Sequence, residues 1–121
     1  MATYDQLPVY KKTQDLLLAI FHICQNMERD YKYTIGERLK NEILQLQINV
    51  FKANCREDKC DLLGLTRENV EVVRLLVRLL HDLKQIKSEV FVNLNVIIES
   101  VSKQLTAWQK SSKQLILPSI D

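Results

Sequence analysis

The sequence predicts an all-α protein, an antiparallel up-and-down four-helix bundle, and three observations carry this prediction. The chain of 121 residues holds only 2 glycines and 2 prolines, which favours long helices over a turn-rich sheet. Apolar residues recur with a helical period in four segments of about 20 residues each. The connections between these segments are short, which makes consecutive helices antiparallel neighbours. By its length the chain is a single domain, residues 1–121, with one core.

The first helix is predicted over residues 8–27 and the second over residues 34–56. Pro8 stands in the first turn of the first helix, where its missing N–H is harmless. The second helix is predicted to begin at a capping box, because Thr34 precedes Glu37 by three residues and each side chain could accept the other's backbone N–H. Residues 28–33 are interpreted as the connection.

The second helix carries apolar residues on two nearly opposite faces. One face belongs to the core, whereas Leu44, Ile48, Phe51 and Cys55 need a partner from another helix or from a neighbouring subunit. The third helix is apolar around more than half of its circumference. Because a monomer rarely leaves a large apolar surface in water, we predict a homo-oligomer with Leu44, Ile48 and Phe51 at its interface.

The third helix is predicted over residues 66–86 with Thr66 as its N-cap, or from residue 61 if it begins early. The fourth is predicted over residues 88–111 with Ser88 as its cap. Residues 112–121 lack a helical period and are predicted to form a mobile tail.

Several kinds of chemistry find no support in the sequence. Neither His22 nor His81 follows a glutamate by three residues, as the ligands of di-metal bundles do. Cys55 and Cys60 with His81 lack the spacing and the fourth ligand of a zinc site. A glycine-rich phosphate loop and a recognisable nucleophile motif are also missing. We therefore expect no catalytic residue, no metal and no cofactor.

Composition indicates a cytoplasmic protein without membrane contact. The 3 cysteines show no paired spacing, which suits reduced thiols. The beginning of the sequence does not have the pattern of a signal peptide, and the longest apolar run, residues 16–21, is far too short to cross a bilayer. The 17 basic and 15 acidic residues give a net charge of only +2, so any nucleic-acid site must be a local patch.

One candidate patch is the arginine row, formed by Arg67, Arg74, Arg78 and His81. Intervals of seven, four and three residues place these side chains along one line of the third helix. The planar fork of arginine binds phosphate or carboxylate through two hydrogen bonds at once. A charged outer face is also ordinary for a bundle helix, so this second interpretation stays open.

The other candidate patch is the basic turn, formed by Arg29, Lys32, Arg38 and Lys40. Tyr31 and Tyr33 lie among these cations. The tyrosines either close the end of the bundle or stack on the bases of single-stranded nucleic acid, and the sequence does not decide between the two.

Four strings of the sequence together resemble a known family: LPVYKKTQDLLL, RDYKYTIGERLKNE, VVRLLVRLLHDLKQI and LNVIIESVSKQLTAWQKSS. In this order they are similar to the accessory variability determinant proteins of diversity-generating retroelements. These are related to the 23S rRNA intervening-sequence proteins. The resemblance runs over about residues 7–112.

This resemblance implies an antiparallel four-helix bundle that assembles as a pentameric ring and catalyses nothing itself. It also implies binding to a reverse transcriptase and to RNA or DNA during mutagenic retrohoming. Basic residues of the family match Arg74 and Arg78 in one string and Lys32, Arg38 and Lys40 in another. The alternatives are a 23S rRNA intervening-sequence protein outside any retroelement and a scaffold that binds only proteins.

Overall fold

The computed structural model describes residues 3–116, and the side chains of residues 3–113. Its helices are α1 (Pro8–Gln25), α2 (Arg29–Tyr31), α3 (Glu37–Asn54), α4 (Cys60–Asp82) and α5 (Ser88–Ile116). A 3₁₀ turn (Tyr4–Gln6) precedes α1, and a π-helical segment (Lys32–Gly36) joins α2 to α3 without a break.

The four long helices pack antiparallel into a bundle, as predicted. α1 contacts α3 and α5, and α4 contacts the same two helices, so α1 and α4 lie diagonally opposite each other. Within residues 3–116, no helix combines the length and the apolar character that a membrane span requires.

One apolar stripe from each long helix builds the core. In α1 the buried positions recur every three or four residues, and they are Val9, Thr13, Leu16, Ile20 and Cys24. The same spacing in α3 buries Leu39, Ile43, Leu46, Val50 and Ala53. The second apolar face of α3, at Leu44, Ile48 and Phe51, stays exposed. The core therefore does not use these three residues, which the sequence predicts to lie at a subunit interface.

The predicted capping box is wrong. Thr34 lies inside the π-helical segment, where its hydroxyl donates a hydrogen bond to the carbonyl oxygen of Asp30 at 2.6 Å. Glu37 pairs with Lys40 at 3.3 Å. A hydroxyl that bonds four residues back belongs to a helix interior, so the helix does not begin at Thr34.

The helical backbone begins at Arg29, several residues before the predicted start. Tyr31 and Ile35 pack against the core, so the apolar period extends back beyond Thr34. Residues 29–33, interpreted as a connection, are therefore helical. Burial of these side chains outweighs the local capping signal.

Three further expectations need correction. α4 begins at Cys60, one residue before the earlier of its two predicted starts, so Thr66 is not an N-cap, and its buried hydroxyl donates to the carbonyl oxygen of Leu62 at 2.6 Å. The Ser88 hydroxyl hydrogen-bonds to the ring of His81 at 3.1 Å and so engages α4 instead of capping its own helix. α5 continues to Ile116, so residues 112–116 of the predicted tail are helical, and residues 117–121 lie outside the described part.

Candidate nucleic-acid interface

The arginine row lies along the seam between α4 and α5. Arg67 donates from Nη1 to Oε1 of Gln109 at 2.7 Å. Two helical turns further along, Arg74 donates from Nη1 to Oε1 of Glu99 at 2.6 Å. Both guanidinium groups therefore reach across to α5 and connect the two helices.

Arg74 is the most strongly paired residue of the row. Its Nε also donates to Oε2 of Glu71 at 3.1 Å, so the guanidinium group lies between two carboxylates. Burial lowers the pKa of Arg74, but the hydrogen bond to Glu99 and the interactions with Glu71 outweigh this effect and raise the pKa above its ordinary value. The charge of Arg74 is permanent and already balanced, so a phosphate gains less from it than from an unpaired arginine.

The other two members of the row differ in their contacts. The ring of His81 stacks on Phe91 of α5, with centroids 4.3 Å apart and planes 14° apart. Arg78 is exposed and has neither a hydrogen bond nor an ion pair within residues 3–113. Arg78 is therefore the residue of the row whose fork is free to bind an external anion.

The cations of the basic turn pair only with near neighbours in sequence. Arg38 donates from Nε and Nη2 to Oε1 of Glu42, four residues on, at 3.0 and 2.9 Å. Lys40 pairs with Glu37, three residues back. Glu42 and Lys40 are only 14% and 23% exposed, Glu42 also accepts a hydrogen bond from Asn69 of α4 at 2.9 Å, and Nζ of Lys40 lies 5.6 Å from the ring centroid of Phe21 in α1. The ion pairs themselves lie within one helix and contribute about 0.3–0.5 kcal/mol, so a polyanion can compete for Arg38, whose side chain is 63% exposed.

The two remaining cations of the basic turn are less constrained. Nζ of Lys32 donates to the backbone oxygen of Gln25 at 3.5 Å and lies 5.8 Å from the ring centroid of Tyr33. Arg29 is exposed and has no ion pair in the described part of the chain. Both side chains are available to a ligand.

The structure separates the roles of the two tyrosines. Tyr31 packs against the core and closes the end of the bundle, whereas the side chain of Tyr33 is 64% exposed. An exposed aromatic ring beside Lys32 is the arrangement that stacks on an unpaired base. Tyr31 therefore fits the interpretation that a tyrosine closes the end of the bundle, and Tyr33 fits the interpretation that a tyrosine stacks on a base.

Close packing around Gly36 fixes the π-helical segment that carries Tyr33. A methyl group on Gly36 would lie 3.2 Å from the sulfur of Met27 and 3.2 Å from the backbone oxygen of Tyr31. The Cys24 thiol donates weakly to the Gly36 carbonyl at 3.8 Å, and burial raises the pKa of this thiol. Cys24 is therefore a neutral packing residue, and the segment sits firmly against α1.

The arginine row and the basic turn lie on different sides of the bundle. Arg38 and Lys40 belong to α3, whereas the row faces α5, the helix diagonal to α3. The two regions approach each other at one end, where the backbone N–H of Glu28 donates to Oε1 of Gln85 at 3.2 Å. The predicted site residues therefore form two patches and not one.

Sequence reasoning missed two cations at this end of the bundle. Lys84 and Lys87 lie in the loop between α4 and α5, beside His81. The prediction extended the third helix to residue 86 and so placed Lys84 inside a helix. In the structure α4 ends at Asp82, and Lys84 adopts a left-handed backbone conformation with φ 61°.

No group of three or more His, Cys, Asp or Glu side chains within the described residues is arranged to hold a metal ion.

The predicted interface residues Leu44, Ile48 and Phe51 are 41–45% exposed on α3. Their role in an interface stays a prediction.

Comparison with known proteins gives a clear family assignment. The chain matches the family model described as bAvd-like over residues 7–112. It therefore belongs to this family of proteins that resemble the accessory variability determinant, and the resemblance in the sequence is confirmed. A search of curated proteins gave no significant match.

Proposed function

We propose that this bAvd-like protein is a non-enzymatic, oligomeric accessory protein of a diversity-generating retroelement and that it binds nucleic acid and a reverse transcriptase. The family match over residues 7–112 is the observation that carries this proposal. Proteins of the Avd-like family are generally accessory proteins without catalytic activity. Assembly as a pentameric ring is part of the proposal.

The basic turn is the proposed nucleic-acid surface. Its ion pairs lie within one helix, and Tyr33 offers an exposed ring for stacking, which contributes about 1–3 kcal/mol per base. Arg78 and the loop lysines Lys84 and Lys87 add cations on a second side of the same bundle end. A net charge of +2 per chain keeps each copy's affinity low, so the ring multiplies weak contacts.

The seam between α4 and α5 is the proposed reverse-transcriptase surface. Leu75, Val92 and Val96 are exposed there, next to an Arg74 whose charge two glutamates already balance. An apolar surface with paired charges suits a protein partner better than a phosphate backbone.

Binding of single-stranded RNA, measured by fluorescence anisotropy over a range of salt concentrations, tests the nucleic-acid surface. The affinity should fall with salt with a double-logarithmic slope of about −0.7 per phosphate neutralised. Lys32→Glu with Arg38→Glu should abolish most binding and flatten this slope. Lys11→Glu with Lys12→Glu is the control, since it makes the same charge change on the exposed side of α1. Equal losses in both variants would refute the basic turn as the site.

A second candidate function, a scaffold that binds only proteins, is favoured by the exposed Leu75, Val92 and Val96. Val96→Glu should abolish capture of a retroelement reverse transcriptase and leave RNA affinity unchanged. Capture of protein partners without any RNA affinity would support the scaffold alone. A gene located inside a 23S rRNA operon, with no reverse transcriptase nearby, would instead support the intervening-sequence alternative.

A further inference from the structure

Besides the surface at Leu75, Val92 and Val96, two further apolar surfaces are exposed in the described part of each copy. The first, the α3 surface, consists of Leu44, Ile48, Phe51 and Tyr4, and the Tyr4 ring meets Phe51 edge-on at 4.7 Å. A shallow cavity of about 230 Å³ lies beside it. Oε1 of Gln47, which lines this cavity, is buried without a hydrogen-bond partner within residues 3–113. Within the described residues, this oxygen therefore has no partner, and the outer sides of Leu44, Ile48 and Phe51 are uncovered.

The second, the α4 surface, follows a different pattern. It consists of Leu65, Val72, Leu76, Leu79 and Leu83. The intervals of seven, four, three and four residues are those of a coiled-coil seam, which one helix presents to another. Leu65 is 58% exposed, Leu79 and Leu83 are also exposed, and Val72 and Leu76 are half-buried between them, with Leu76 packed against the core. No helix within residues 3–116 covers this seam.

The two surfaces face different sides of the bundle. The α3 surface lies toward α1, because Tyr4 also contacts Tyr10 of α1 at 5.2 Å. The α4 surface lies toward α3, because Asn69, which occupies the next seam position after Leu65, accepts a hydrogen bond from Asn49 of α3 at 2.9 Å. In a bundle of square cross-section these directions differ by about a quarter turn.

The charges beside the two surfaces are opposite. Lys52 and Arg56 follow the α3 surface, and Asp61 and Glu68 flank the first residues of the α4 surface. All four are exposed and without an ion pair in the described part of the chain. Two α3 surfaces facing each other would bring like charges together, and so would two α4 surfaces, whereas an α3 surface facing an α4 surface pairs them.

The heights of these charges along the bundle also agree. The hydrogen bond between Asn49 and Asn69 marks equal heights on the antiparallel helices α3 and α4. At a rise of about 1.5 Å per residue, Lys52 and Glu68 then lie within about 3 Å of the same height. Copies related by an axis parallel to the helices would therefore bring Lys52 level with Glu68 of the next copy.

We infer that the α3 surface of one copy docks on the α4 surface of the next, in a head-to-tail contact that repeats around a ring. This inference rests on the oligomeric part of the proposed function and specifies its contact. Two different surfaces about a quarter turn apart close a ring of about four or five copies, whereas one self-complementary surface would stop at a dimer.

Mixing two variants tests this contact directly. Ile48→Glu damages only the α3 surface and Leu65→Glu only the α4 surface, and both side chains are exposed, so circular dichroism should show both variants folded. We expect each variant alone to sediment as a monomer at micromolar concentration. An equimolar mixture should form a 1:1 dimer and nothing larger, because it contains a single intact contact.

Any other sedimentation result contradicts one specific part of the proposal. An Ile48→Glu or Leu65→Glu variant that keeps the size of the unchanged protein refutes the head-to-tail contact but leaves the oligomer in place. A mixture that stays monomeric refutes the contact as well. If the protein without substitutions is itself a monomer, both the contact and the oligomeric part of the proposed function are refuted. RNA binding by such a monomer would leave the nucleic-acid part standing.

Charge exchange gives an independent measurement of the same contact. Lys52→Glu or Glu68→Lys alone should raise the dissociation constant of the ring about three- to tenfold, because like charges then meet. The double variant should recover most of the original affinity, since the pair is restored with its signs exchanged. Lys110→Glu is the control on the exposed side of α5. A double variant that is weaker than both single variants contradicts the pairing.

Discussion

In the basic turn, Arg38 and Lys40 pair with glutamates of their own helix, whereas in the arginine row Arg67 and Arg74 reach across to α5. The ion pairs of the basic turn do not themselves connect two helices, and the exposed Arg38 can exchange its partner for a ligand while Glu42 keeps its hydrogen bond from Asn69 of α4. The contacts of the row connect two helices, so a ligand that displaced them would loosen the seam. A cation's availability thus depends on its partner and cannot be judged from its residue type.

The largest change in stability is expected for Gly36, which lies among the residues of the basic turn, and Gly64, on the helix that carries the arginine row, provides the comparison. Gly36→Ala should lower the free energy of unfolding by about 1–3 kcal/mol, because the added methyl group would meet the Met27 sulfur and the Tyr31 backbone oxygen at 3.2 Å. Gly64→Ala near the start of α4 should change it by less than about 1 kcal/mol, because the higher helix propensity of alanine offsets a small shift of Gln109. There the methyl group meets Nε2 of Gln109 at 3.2 Å, and this side chain also bonds to Arg67 and to the carbonyl oxygen of Cys60. Urea denaturation followed by circular dichroism measures both, and equal effects would contradict tight packing of the basic turn.

The next largest effect is a difference in stability between variants of two arginines in the same row. Arg74→Ala should lower the free energy of unfolding by about 1 kcal/mol, because Glu71 and Glu99 lose a shared partner across the seam. Arg78→Ala, which removes an exposed side chain without an ion pair in the described residues, should change it by less than about 0.5 kcal/mol. The same denaturation experiment checks this pair. If the two variants lose equal stability, the row does not connect the helices.

A smaller effect is expected at Lys84, just beyond the arginine row. Its φ of 61° is strained for a residue with a side chain, and its N–H donates to the carbonyl oxygen of His81 at the end of α4. Lys84→Gly should therefore raise the free energy of unfolding by about 0.5–1 kcal/mol. Lys84→Ala is the matched control, since it removes the charge and keeps the strained conformation. A gain shared by both variants would point to the charge and not to the backbone.

The smallest effect concerns the competition between local pairs and a ligand. Glu37→Gln releases Lys40 and should tighten binding of single-stranded RNA about twofold at low salt. Glu57→Gln makes the same charge change in the exposed connection between α3 and α4 and serves as the control. Anisotropy titrations compare the two variants. An equal increase in both would mean that net charge, and not the release of Lys40, determines the affinity.

The core could be predicted from sequence because its signal is local. The positions of Leu39, Ile43 and Leu46 follow from helical spacing alone, and all three are fully buried. The start of the second helix could not be predicted, because Thr34 and Glu37 match a capping motif while Tyr31 and Ile35 extend the apolar period beyond it. A local motif does not show how much burial lies on either side of it.

Only part of the candidate site could be predicted from the sequence, for a related reason. The line of Arg67, Arg74 and Arg78 follows from spacing on one helix. The pairing of Arg74 with Glu99, 25 residues away, depends on how α4 and α5 are rotated about their axes, and one sequence does not specify these rotations. Exposure of Tyr33 and burial of Tyr31 likewise depend on the π-helical segment, which has no recognisable sequence signal.

The π-helical segment has a consequence for changes in chain length. A π turn holds one more residue than an α turn, so deletion of one residue between positions 32 and 36 would convert it to ordinary α-helix and leave both flanking helices intact. One residue inserted within α3 would instead rotate everything after it by about 100° and carry half of its apolar stripe into water. Deletion of a single residue is therefore tolerated at this turn, and a deletion scan along residues 29–54 should find its one permissive stretch there.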